Sequence, residues 1–301
     1  MDYELIDFGR GRKLERFGDR ITDRPSVAAS DLYPTLPASR WRETTDLRFE
    51  DRRWLAGSDA GRSALESGWT MRCGESPAWA AELRPTAAGQ VGCFPEHFDG
   101  FERAAAFSVD AAAVEPKLAL NLFAHTGIGS IQLAARGWSV THVDSSRPAV
   151  RWAKQNAAAA FHSAAAAISS AAPIRFIVDD AAEFVARELR RGRRYNLICL
   201  DPPSYGHGGR GAWRIDRDLG PLLALVADLL PPGRGYVMLC GHSEPSVLRS
   251  ALADPTAARL HQRLGKRRLI DVNLNDRGGR TLHSGYRVLW SQEAAGRSGT
   301  A

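Results

Sequence analysis

The chain has no run of about 18 consecutive apolar residues, which excludes a helix long enough to cross a bilayer. The start, Met1-Asp-Tyr-Glu-Leu, lacks the basic residues and following apolar stretch of a secretory leader, so none is expected. Cysteine is sparse as well. Cys73, Cys93, Cys199 and Cys240 are scattered with no Cys-x-x-Cys pair, a spacing that argues against a structural zinc centre, and no metal site is expected. The two that lie in apolar runs read as buried thiols, and a reducing cytoplasm is the expected compartment. Lysine is confined to positions 13, 117, 154 and 266, so the net charge of +6 is carried almost wholly by arginine. Guanidinium groups suit phosphate through bidentate bonding, which makes nucleic acid a natural partner. A coding bias toward alanine and arginine accounts for the same composition, and an isoelectric point near 9.4 identifies no site.

What is present divides near residue 100. Residues 1–100 are rich in proline, glycine and tryptophan and show short strand-like pieces, such as Tyr3-Glu-Leu-Ile-Asp and Gly68-Trp-Thr-Met-Arg, between turns. A small, mostly β domain is expected there, with the Ala-Gly-Ser-rich stretch 56–68 read as a loop. From about residue 116 strands and helices alternate. Leu118 to Phe123, Ser139 to Val143, Ile174 to Val178, Asn196 to Leu200 and Tyr236 to Cys240 read as buried strands, with helices between them. Further strands are expected at 267–274 and 285–290, the second domain covers 101–290, and 291–301 reads as a disordered tail. The alanine-rich stretch 157–172 reads as a helical extension or surface insertion. The expected fold class is α/β, a doubly wound, mostly parallel sheet. Ligands in such sheets bind beyond the carboxyl ends of the strands, so chemically useful residues should fall at strand ends.

They do so four times. The first strand runs into His125-Thr-Gly-Ile-Gly-Ser, where glycine permits a tight turn and close backbone approach. The turn lacks the third glycine of the dinucleotide fingerprint, which counts against NAD, and no Gly-Lys-Ser/Thr follows to make a phosphate loop. The second strand ends in Asp144, about 20 residues on, where a carboxylate can accept both ribose hydroxyls of an adenosine. A helix-capping role is the alternative, but Ser145 and Ser146 are also available as caps. The third ends in Asp179-Asp180-Ala181, suited to an adenine amino group and equally to capping. The fourth ends in Asp201-Pro202-Pro203-Ser204-Tyr205. Two prolines cannot continue a central strand. They fix a stiff turn whose carbonyls accept hydrogen bonds beside a carboxylate and an aromatic ring, a set that can hold an amino-bearing planar base.

These runs, together with Trp152-Ala-Lys-Gln-Asn, resemble class I S-adenosylmethionine-dependent methyltransferases. The resemblance extends to the bacterial group containing the large-subunit rRNA cytosine-C5 and guanine-N7 enzymes, over roughly residues 92–290. The front segments Leu5-Ile-Asp-Phe-Gly-Arg-Gly-Arg-Lys-Leu and Gly92-Cys-Phe-Pro-Glu-His look like a subgroup with a small N-terminal β domain. The resemblance implies that Phe123, His125, Thr126, Gly127 and Gly129 surround the methionine end of the cofactor. Asp144 with Ser145 would hold the ribose, and Asp180 with Ala181 the adenine. Asp201, Pro202 and Pro203 would face the methyl acceptor, flanked by Tyr205, and Asp201 would take up a proton if a nitrogen is methylated. Two departures stand out. His125 replaces the tyrosine of the relatives' Asn-x-Phe-x-Tyr-Thr-Gly run. The position of the cytosine-C5 enzymes' nucleophilic cysteine falls on His242, with Cys240 read as the last buried residue of its strand.

The expected function is direct methyl transfer from S-adenosylmethionine to a base in RNA, ribosomal RNA first, with no membrane partner. The alternatives are a small-molecule or protein acceptor, or a cofactor-binding relative without catalysis. Lys266, Arg267, Arg268, Arg277, Arg280 and Arg287 line a phosphate track or form a solvated face.

Overall fold

The computed structural model describes residues 1–292 apart from 76–77, 108–116, 164–172, 209–210, 233, 243–244, 254 and 256–257. Met1–Glu96 forms one compact unit together with the part of a later helix that starts at Gln155 and with Val272–Ser284. Its strands β1 (Tyr3–Gly9), β2 (Arg12–Phe17), β3 (Arg20–Pro25), β4 (Leu47–Glu50) and β5 (Arg53–Ala56) make a five-stranded sheet in that order, with α1 (Ala38–Thr44) between β3 and β4. All neighbours are antiparallel except β3 and β4. After α2 (Asp59–Ser67), β6 (Trp69–Glu75) and β7 (Ala78–Leu83) pair as a separate antiparallel hairpin.

Helix α2 corrects the reading of residues 56–68 as a loop. Ser58 caps it, its hydroxyl accepting from the Gly61 amide at 3.0 Å, and Gly61 and Ala64 form the buried face. A Cβ on Gly61 would meet the Asp46 carbonyl oxygen at 2.0 Å. The small residues that suggested a loop therefore serve close packing of a helix.

The unit buries an ion pair. Glu15 on β2 and Arg24 on β3 are 0% and 3% exposed, and Arg24 donates twice to one carboxylate oxygen, from Nη2 at 2.7 Å and Nε at 2.9 Å. Tyr3 donates its hydroxyl to the other oxygen at 3.0 Å, and the Lys13 ammonium lies 3.1 Å from it.

The second unit carries α3 (Pro95–Ala105), β8 (Leu118–Leu122), α4 (Ile128–Ala135), β9 (Ser139–Asp144), α5 (Arg147–Ser163), β10 (Ile174–Val178), α6 (Ala181–Arg190), β11 (Leu197–Leu200), the short pair β12 (Tyr205–Gly208) and β13 (Gly211–Arg214), α7 (Ile215–Leu229), β14 (Gly235–Gly241), α8 (Pro245–Ala253) and α9 (Ala258–Leu264). With β15 (Arg268–Asn275) and β16 (Thr281–Gln292) the sheet order is β10-β9-β8-β11-β14-β16-β15. The first five strands are mutually parallel and β16 runs antiparallel to β14. This is a doubly wound, mostly parallel α/β sheet, and the first unit carries its own mostly antiparallel one.

The central strands β11 and β14 are buried along their whole length because both faces are covered, and β11 reads as a continuous apolar run. Leu120, Leu122, Ile198, Leu200, Val237 and Leu239 are at most 1% exposed, and Leu219, Leu222, Leu223 and Val226 of α7 share their core. From β8 the chain moves outward through β9 and β10, then returns to β11 on the other side. The order thus reverses between β8 and β11, and ligands bind at such a switch point.

Two boundaries differ from the sequence reading. Strand β16 continues through Ser291 and Gln292, which pair with Tyr236 and Gly235, so the tail begins later; residues 293–301 lie outside the described residues. The alanine-rich stretch belongs to α5 as far as Ser163, and its remainder lies outside the described residues.

Candidate active site

At the switch point the chain leaves β8 in an unusual conformation. Phe123, His125 and Gly127 have φ of +56°, +46° and +83°. Left-handed backbone at a bulky residue such as Phe123 is strained, on the order of 1–2 kcal/mol, and persists only where surrounding contacts hold it. Those contacts are present. The Ala124 amide donates to the Val143 carbonyl, and the Phe123 ring packs at 5.1 Å, tilted, on Trp213.

Asp144, at the end of β9, ties the turns together. One carboxylate oxygen accepts from the His125 amide at 2.9 Å and the other from the Ser146 amide at 2.8 Å. Ser146 in turn caps α5 through the Ala149 amide. Gly127 and Gly129 lie on the first turn of α4. A Cβ on Gly127 would meet Ala153 of α5 at 2.8 Å, and one on Gly129 would strike the Phe101 ring at 2.4 Å. Packed protein, rather than an approaching ligand, forbids side chains at both positions.

The Asp180 carboxylate caps α6, one oxygen accepting from the amides of Ala182 and Glu183, while Asp179 pairs with Arg187. A single cleft collects Phe123, Asp144, Ser145, Asp180, Ala181 and Pro203. The Asp144 carboxylate, at the end of β9, stands there beside apolar walls from Phe123, Ala181 and Pro203. Thr126, only 2% exposed, and the two glycines do not line this cleft. Tyr205 also stands apart, on β12 and 57% exposed. Beside Phe123, the cleft holds a second aromatic residue, Trp213 of β13, which sequence reading missed. Its indole N–H donates to the Pro203 carbonyl at 2.7 Å, so that carbonyl already has a partner.

Asp201, at the end of β11, faces two imidazoles. His97 Nε2, from the first turn of α3, lies 3.1 Å from Asp201 Oδ2, and His242 Nε2, just past β14, lies 4.0 Å from Oδ1. Burial pushes the Asp201 carboxyl up, but the adjacent His97 outweighs it and holds the group below the usual carboxylate range. Burial lowers the His97 imidazole, while Asp201 and Cys240 more than reverse that effect. His125 is pushed down by burial against the opposing charges of Asp144 and Asp201. Cys240 is 1% exposed in β14, opposite Arg287 of β16.

Three of the late arginines carry acidic partners. Arg277 pairs with Glu4, Arg280 with Asp7 and Asp276, and Arg287, nearly buried, with Asp99. Each of the three has at least one acidic partner from elsewhere in the chain, invisible in a local run.

No family model matches the chain. It is 30% identical to the S-adenosylmethionine-dependent methyltransferase from Agrobacterium tumefaciens, known as a crystal structure, over 97% of this chain and 91% of that one, with a TM-score of 0.78. The chain belongs to the S-adenosylmethionine-dependent methyltransferases. The cofactor of this methyltransferase is accordingly S-adenosylmethionine. Curated relatives include the ribosomal RNA large subunit methyltransferase K/L of Methylococcus capsulatus, 38% identical over 117 residues. The protein of the same name from Alteromonas mediterranea is 32% identical over 232 residues, 72% of this chain. The methyltransferase spans only 15% and 30% of the length of these two relatives.

Proposed function

We propose that the methyl acceptor is a base in RNA, ribosomal RNA first, and that transfer to it is direct. The observation that carries this reading is the stiff Asp201-Pro202-Pro203 turn at the switch point, where Pro203 borders the cofactor cleft and Asp201 is fixed by His97. The names of the K/L relatives and the arginine-borne charge of +6 support it.

When bound, S-adenosylmethionine supplies an electrophilic methyl group on its sulfonium. Asp144 and Ser145 hold the ribose, and Asp180 with Ala181 the adenine edge. Because Asp180 spends one carboxylate oxygen on its helix cap, its second oxygen serves the base. Phe123, His125 and Thr126 shape the methionine end, with Gly127 and Gly129 acting through their backbone. Asp201 and the Pro202 carbonyl orient the acceptor, and Tyr205 offers an exposed ring for stacking at its flank. Alignment is the main contribution of these groups. The residue at the position of the cytosine-C5 nucleophile is His242 and the nearest thiol, Cys240, is buried, which favours direct over covalent transfer.

RNA binding should weaken linearly in log–log form with added salt, with a slope of about −0.7 per phosphate neutralised on single strands. Filter binding of ribosomal RNA across a salt series measures it. Negligible affinity at low salt would remove RNA as the acceptor class.

Asp144→Ala tests the cofactor cleft separately. It removes charged hydrogen bonds to the ribose and to the His125 and Ser146 amides, each worth about 1.5–3 kcal/mol. The expected loss of S-adenosylhomocysteine affinity by calorimetry is about 10- to 100-fold. An unchanged affinity would contradict this placement of the ribose.

A further inference from the structure

His97, Asp201 and His242 are separated in sequence by about a hundred residues and by 41, yet their donor atoms converge on one point. The two Nε2 atoms are 2.8 Å apart, whereas the ring centroids are 4.8 Å apart and the planes are tilted by 57°. The imidazoles therefore meet by their nitrogen edges and are not stacked. Asp201 Oδ2 stands 3.1 Å from the first nitrogen and Oδ1 4.0 Å from the second.

The 2.8 Å contact between the two Nε2 atoms requires either a proton on one of them or a cation shared by both. A proton on His97 Nε2 can serve one neighbour well, but two acceptors face that single N–H. A metal ion answers all three at once. Bonds of about 2.0–2.2 Å to imidazole and carboxylate leave neighbouring ligand atoms about 3.0–3.4 Å apart, close to the shorter two separations here. Two histidines and one carboxylate are also a donor set used by zinc and ferrous iron in sites that keep open positions.

Burial supports an open site. The His97 side chain is 7% exposed, Asp201 24% and His242 40%, so the trio has a closed inner wall and an accessible outer side.

We propose that His97, Asp201 and His242 form a binding site for one divalent first-row transition-metal ion, zinc or ferrous iron, with open coordination positions. No step of methyl transfer is assigned to it, and the site stands whether or not RNA is the acceptor. One carboxylate oxygen of Asp201 suffices as ligand, which leaves the other for orientation.

The test is calorimetric titration of the metal-stripped full chain with zinc chloride, with metal content by mass spectrometry after dialysis. One zinc per chain is expected. His242→Ala, at the exposed side of the trio, should fold normally by circular dichroism and bind zinc more than about 100-fold more weakly. His97→Ala should do the same where it folds; if its buried position prevents folding, His242→Ala decides alone. Absence of stoichiometric zinc and ferrous iron binding by the wild-type chain would overturn the proposal. Equal binding by folded His242→Ala would overturn it too, because the ion would then reside elsewhere.

Discussion

Replacing Asp201 with alanine is expected to lower methyl transfer by at least about 100-fold while leaving S-adenosylhomocysteine affinity nearly unchanged. Asp201 ends β11 at the point where the strand order reverses, and the two following prolines deny the loop freedom to carry it elsewhere. Its removal takes away the group that orients the acceptor and strips His97 of its counter-charge, while Asp144 and Asp180 remain in place. The loss should therefore appear in the transfer step and not in cofactor binding. Asp201→Asn keeps the size and one acceptor oxygen and should fall between the two. Single-turnover rates with separately measured cofactor affinity make the distinction. Near-wild-type turnover of the alanine variant would place the acceptor away from the proline turn.

The second large effect concerns stability. Glu15→Ala should destabilise the fold by about 3–5 kcal/mol, read from urea unfolding, because it leaves the Arg24 guanidinium buried without its partner. The Gln90 side chain at 2.7 Å, the Gly89 carbonyl at 3.4 Å and the more distant Glu96 carboxylate would then be left to face that charge. The pH dependence has a definite sign. Burial pushes the Glu15 carboxyl up, but Arg24 and Lys13 together hold it below its ordinary value of 4.5. Folding thus favours the ionised form. The contribution is fully present above pH 4.5 and is lost as pH falls through the lower folded value. The stability gap between wild type and Glu15→Ala should narrow below pH 4. A gap that stays constant on acidification would mean that packing, not charge, holds Glu15 in place.

The parallel sheet was legible because its central strands are buried on both faces, so Leu197–Leu200 appears as an unbroken apolar run and Leu118–Leu122 as one interrupted only by the buried Asn121. Strand-end carboxylates followed from the same pattern, since topology assigns ligands to those ends. Asp144 and Asp180 show the limit of that rule. Both carry local hydrogen bonds of the kind that a capping residue makes, and a sequence pattern cannot separate cap from ligand when one carboxylate has two oxygens to offer.

The rest was hidden because it depends on contacts between distant segments. Trp213 enters the cleft only because β12 and β13 pair, whereas Tyr205, nearer the proline turn in sequence, does not line it. His97 and His242 approach Asp201 from α3 and from the end of β14, with no spacing that marks a shared site. The stretch 56–68 looked like a loop because its small residues give no apolar stripe, yet Gly61 and Ala64 are small so that α2 can press onto the Asp46 backbone. The late arginines resembled a nucleic-acid patch until their acidic partners, Glu4, Asp7 and Asp99, came from the other end of the chain or from α3.

Transfer of a tritiated methyl group from S-adenosylmethionine into total RNA from a strain lacking this protein, followed by nucleoside separation, tests the account most directly. Label in one methylated nucleoside of large-subunit ribosomal RNA, abolished by Asp201→Ala, is the predicted result. Label that enters a small-molecule or protein fraction and never RNA would contradict it.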